Sequence, residues 1–284
     1  MRTISLALLA SLVSLTPAAA QVSADDAAVE AYNSALEAWQ DAQKAHRKAY
    51  STAKTDEERM RIWKDERPNG DLYAPAFMEV AVTYPGTKVA LDSLGWIVGN
   101  AADDKMIQRS CQVVLRSHLQ SEDLSAFVEQ LARCEDLAAE RALQAILSSS
   151  PHHDVRGNAC FQLGLKKLSS ARLARDLKEA DADDLKEFRD NFTEVALTRA
   201  KSLEPEIIQA VGEKLLERVV EEFSDVEWRR GTLGRYASGE LFELRNLQIG
   251  MIAPEIEGKD VFERPMKLSE FRGKVVLLDF WGDW

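Results

Sequence analysis

The spacing of apolar residues separates a long helical part from a short stretch of different character. Over residues 22–50, Val29, Tyr32, Leu36 and Trp39 recur alternately three and four apart. Tyr50 lies further along, and Gln43 and His46 hold the intervening stripe positions. This is the period of a helix with one apolar face. Its heptad-like seam suits a dimerising or docking helix, or a first helix packed on its own domain. Residues 55–71 are charged and contain Pro68-Asn69-Gly70, which predicts a loop. Apolar stripes then predict helices over 75–84, 87–98, 103–119, 124–147 and 154–168, with breaks at Pro85-Gly86 and at Pro151. Residues 169–184 are strongly charged and read as a solvated helix face or a flexible insertion. Helix is predicted again over 185–203. Pro205 suits a first helical turn, and Ile208, Val211, Leu215, Val219 and Phe223 continue from it as one stripe. Ser224-Asp225 marks a turn before the last helix, 232–247.

The pattern then changes. Ile256 and the residues from Val261 to Met266 flank Gly258-Lys259-Asp260, a turn-rich triplet, so 249–267 reads as a hairpin. Ser269 is expected to cap a short helical turn, and Gly273 to free the chain to enter a strand. Val275-Val276-Leu277-Leu278 is a continuous apolar run of the kind found in a strand buried on both faces. Asp279 falls inside that run. Burial would raise its pKa by desolvation and fit it to accept a proton near neutral pH. The other reading is that Asp279 ends the strand and faces water. A lone apolar strand exposes its backbone and invites aggregation, so a longer chain is expected.

Composition narrows the classes. The 284 residues allow one to two domains. With 36 Lys and Arg against 47 Asp and Glu, the formal net charge is −11. That balance argues against nucleic acid as a partner and against anionic membrane surfaces. Residues 1–20 read as a signal peptide: Arg2 is its positive end, 4–15 its apolar core, and Ala18-Ala19-Ala20 its cleavage site. The apolar core is shorter than the ~20 residues of a membrane span. The protein is therefore expected to be exported, periplasmic or extracellular. Export implies an oxidising compartment, where Cys111, Cys134 and Cys160 are either small core hydrophobes or include one disulfide. His152-His153-Asp154 is the only histidine cluster, and neighbouring side chains on a regular element diverge, so no metal site is expected. The helical body contains no phosphate loop, nucleophile elbow or zinc-protease motif, and no cofactor is expected.

Two resemblances bear on these readings. Phe77, Val80 and Tyr84 share their spacing with Leu216, Val219 and Phe223, and each set is followed by a turn and a second helix. This is similar to tetratricopeptide-like helical hairpins, without the full repeat consensus. Such arrays present concave surfaces to protein partners. At the other end, Gly250, Ala253 and Pro254 are followed by Leu268, Ser269, Phe271, Arg272, Gly273 and Lys274. Phe280, Trp281 and Trp284 come after them. The combination resembles the opening of the redoxin branch of the thioredoxin superfamily, closest to the TlpA/ResA-like thiol-disulfide oxidoreductases. In that pattern the nucleophilic cysteine of Cys-x-x-Cys would come next after Trp284. The resemblance implies dithiol–disulfide exchange with protein thiols or disulfides, without metal or nucleotide. It implies Asp279 as a proton relay, and Trp281 and Trp284 as the wall of the active site. The expected architecture is mainly α, a helical-hairpin array or bundle over 21–246. The truncated start of an α/β thioredoxin-like domain follows over 247–284. The competing expectation is a non-catalytic, exported, protein-binding helical module.

Overall fold

The computed structural model describes residues 18–281, with side chains from residue 25 onward. Residues 1–17, nearly all of the expected signal peptide, lie outside the described residues, as does Trp284. Among the described residues the protein is mainly helical, with twelve α-helices and two small two-stranded antiparallel sheets.

The first helix, α1 (Ala18–Thr52), lies against α2 (Asp56–Asp65), α3 (Ala74–Thr83) and α4 (Lys88–Asn100). Tyr32 meets Phe77 edge-on at 5.9 Å, and Trp39 meets Tyr73 at 5.3 Å and Trp96 at 5.2 Å. The stripe thus packs within its own domain, although Val29 points outward. The ring of His46 is 3.1 Å from the carbonyl oxygen of Ile62. Helix α2 occupies the charged stretch ahead of the loop expected at Pro68-Asn69-Gly70. Thr55 accepts from the Glu58 N–H at 3.1 Å, and the Glu58 carboxylate accepts from the Lys54 N–H at 2.9 Å. This reciprocal capping starts the helix, which buries only Ile62 and so lacks an apolar stripe.

The core runs through α3, α4, α5 (Asp104–Ser117), α6 (Leu124–Arg133), α7 (Leu137–Ser149) and α8 (His153–Glu179). Helix α4 packs on α3, α5 and α6; α7 packs on α5, α6 and α8. Phe77, Leu94, Ile97, Phe127, Leu131, Leu143, Ile146 and Phe161 are fully buried among them. The single helix expected over 124–147 is two. Cys134 closes α6, and Asp136 caps α7 by accepting from the Ala138 N–H at 2.5 Å. A cap of this kind competes with helix continuation. Helix α8 runs past 168, because Ala171 and Ala174 keep one buried face through the charged stretch. The expected helix 185–203 is likewise divided, into α9 (Ala182–Asn191) and α10 (Glu194–Lys201), with Thr193 capping the second.

Helix α11 (Pro205–Glu222) lies along α8. The helices approach so closely that a Cβ on Gly212 would stand 3.1 Å from the Gly164 carbonyl oxygen and 2.8 Å from Leu168. A small hairpin, β1 (Glu227–Trp228) and β2 (Gly231–Thr232), turns through Arg229 at φ 53° and leads into α12 (Leu233–Asn246).

Beyond α12 the chain forms a second hairpin, β3 (Glu257–Lys259) with β4 (Pro265–Lys267). Gly258 and Lys259 lie within β3, so the turn is later than expected, at 260–264. Asp260 holds it by accepting from the N–H groups of Phe262 at 2.8 Å and Arg264 at 3.0 Å. A 3-10 turn (Leu268–Phe271) follows, and Gly273 adopts φ 81°, a left-handed conformation that suits glycine. The run 275–278 is not a strand. Val275 is 103 % exposed and Leu277 93 %. A strand buried on both faces needs neighbours to pair and cover it, and none of the described residues pairs with this run.

Candidate functional site

Of the residues expected to carry chemistry, Asp279 and Trp281 are on the C-terminal segment and the three thiols are in the helical body. Asp279 and Trp281 are both exposed on the unpaired run. The burial expected for Asp279 is absent because the run forms no strand and no described element covers it. Val276 lies back over a small pocket bounded by Ile252, Pro254, Leu268 and Phe271, so this segment packs partly on itself.

Cys111, Cys134 and Cys160 are buried in the helical body, and none is in a disulfide. Burial, aided by the nearby Cys134 and Asp136, pushes the Cys111 thiol up to about 12. Burial raises Cys134 as well. It lifts Cys160 to about 11, and the Cys160 thiol donates to the Leu215 carbonyl at 3.4 Å. Reactivity belongs to the thiolate, so these are inert core side chains. His152 and His153 diverge, the first to the Gln120 carbonyl at 2.8 Å and the second to Asp225 at 3.1 Å. No group of three His, Cys, Asp or Glu side chains converges on a metal position among the described residues.

The densest polar chemistry is at the break between α6 and α7. Lys166, from α8, reaches the end of α6 and donates to the carbonyl oxygens of Ala132, at 3.3 Å, and Cys134. Cations are favourable at a helix C-terminus. The next residue, Lys167, bonds Glu140 of α7 at 2.5 Å, and Arg199 of α10 bonds the other oxygen of the same carboxylate. The Glu140 side chain is 11 % exposed, Lys167 16 % and Arg199 24 %. Burial pushes the Glu140 carboxyl up, but the hydrogen bonds and charges of Lys167 and Arg199 outweigh it and hold the group below its ordinary range. Burial also lowers the Lys166 amine.

Arg133 and Arg141 are exposed beside this cluster, and neither has a hydrogen-bond or ion-pair partner among the described residues. A cavity of about 300 Å³ opens here, lined by Arg133, Lys166 and Arg199 together with Leu173, Phe192 and Leu203. Arg133 and Arg199 also border a wider depression of about 970 Å³ that includes Ile107, Cys111 and Leu115. Sequence reasoning missed the cluster because its members come from four separate elements and form no spaced motif. The one local signal was the pair Lys166-Lys167 within an otherwise apolar helical stretch. Comparison of the chain with protein-family models, with curated proteins and with solved structures finds no match in any of the three.

Proposed function

We propose that the protein is an exported thiol-disulfide oxidoreductase of thioredoxin-like type, whose helical region holds the redox unit on a protein partner. The observation that carries this reading is the uncovered apolar run. Val275, Leu277, Phe280 and Trp281 are exposed by 103, 93, 84 and 83 %. A run of this composition suits a covered central strand, and the helical body does not cover it. That favours a unit separate from the helical core, in keeping with the redoxin-like order of residues around it.

The reaction is exchange through a mixed disulfide. A thiolate attacks one sulfur of the substrate disulfide, the other sulfur leaves as a thiolate, and a second thiol resolves the mixed bond. Cys111, Cys134 and Cys160 are buried and protonated, so they do not serve as the nucleophile. By resemblance that role falls to the first cysteine of a Cys-x-x-Cys after Trp284. Asp279 would relay the proton of the resolving thiol, and Trp281 and Trp284 would wall the site.

The test is dithiothreitol-dependent insulin reduction by the product of the complete reading frame. Turnover is expected, and Asp279→Asn should lower it by roughly 100-fold. Absence of insulin reduction refutes the redox reading, while full activity in Asp279→Asn removes Asp279 from the relay. A second reading, a non-catalytic protein-binding module, is favoured by the wide depression next to α10, where Leu137 and Val195 are exposed by 47 and 68 %.

A further inference from the structure

Charge around the α6–α7 break is unbalanced. Arg133, Lys166, Lys167 and Arg199 stand beside three carboxylates, Glu135, Asp136 and Glu140. Glu140 is committed to Lys167 and Arg199, and Glu135 accepts from the Thr193 hydroxyl at 2.8 Å. Lys166 is partly buried, yet its partners are two carbonyl oxygens and no carboxylate. An ammonium has three donors, which leaves one for another acceptor. A desolvated cation without a directly bonded anion is unfavourable. Burial lowers the Lys166 amine; Cys134, Glu140 and Glu135 pull it back up from a distance, and Arg199 pushes it further down, so the net shift is downward. Arg133, at the same cavity, is also unpaired among the described residues. The lining also includes apolar side chains, among them Leu173, Phe192 and Leu203. The volume of about 300 Å³ is at the small end of the range for small-molecule sites.

We propose that this cavity binds a small monocarboxylate bearing an apolar group, with Lys166 and Arg133 on the carboxylate and the apolar group against Leu173, Phe192 and Leu203. The carboxylate supplies the directly bonded anion that Lys166 and Arg133 lack among the described residues. The remaining cation of the lining, Arg199, is committed to Glu140, so a second acidic group would find no free cation and dicarboxylates are disfavoured. The site belongs to the helical body and is independent of the redox reading.

The test is calorimetric titration of the protein with octanoate, using octan-1-ol as a probe with the same tail and no charge. Octanoate is expected to bind and octanol not to. Lys166→Met and Arg133→Ala should each weaken octanoate about tenfold, the loss of one charge-assisted hydrogen bond. Binding should also take up protons at alkaline pH, because the bound anion favours the charged amine, and Lys166→Met should abolish that uptake. No binding of octanoate overturns the proposal, as does equal binding of octanol or unchanged affinity in both variants. If Lys166→Met fails to fold by circular dichroism, Arg133→Ala decides, since its side chain is exposed and has no bonding partner among the described residues.

Discussion

Glu140→Gln tests the ion triad that joins α7, α8 and α10. The amide keeps the shape of the carboxylate but loses its charge, so Lys167 and Arg199, with side chains 16 and 24 % exposed, face each other without an anion. Removing one member of a buried ion pair costs roughly 3–5 kcal/mol. Both cations retain some water, which places this case at the lower end, about 3 kcal/mol. In a domain of this size each kcal/mol moves the midpoint by about 2–4 °C, so thermal unfolding at pH 7 should fall by roughly 6–12 °C. The sign with pH is fixed by the lowered Glu140 pKa. The folded state holds fewer protons than the unfolded one, so the stabilisation is full above the ordinary value of 4.5 and is lost as pH falls through the lower folded value. The gap between wild type and variant should therefore close on acidification. Circular dichroism melts at several pH values measure it. A shift below about 2 °C at pH 7, or a gap that widens in acid, refutes the reasoning.

Gly212→Ala should destabilise the protein by about 1–3 kcal/mol, because its methyl would press on the Gly164 carbonyl and on Leu168. Gly239→Ala, in α12 with nothing within 4 Å of the added methyl, should stabilise by about 0.5–1 kcal/mol; urea titrations read both. None of the three thiols should react with a disulfide reagent in the native protein at pH 8, given burial and the values of about 12 and 11 for Cys111 and Cys160. All three should react in guanidinium, and one fast native thiol would contradict the burial.

Long amphipathic helices were legible because burial imposes a period: Phe77 and Leu94 mark helices whose faces the structure buries. Boundaries set by side-chain hydrogen bonds were less so. Asp136 and Thr193 split two expected helices by accepting backbone N–H groups, an effect that leaves the apolar stripe intact. Helix α2 escaped for the converse reason, since Thr55 and Glu58 start a helix with almost no apolar face. The run at 275–278 was read from composition as a covered strand, but strand formation is decided by neighbours, which composition does not report. The cluster at Lys166 was invisible because Glu140 and Arg199 reach it only through the packing of α7 and α10 on α8.

Helix α8 spans 27 residues, a rod about 40 Å long, and it touches α6 and α7 as well as α10, α11 and α12. It is the helix that joins the α6–α7 break to α11 and α12 among the described residues. A proline at Ser169 would put a joint in the rod. The two ends should then melt in separate steps instead of one.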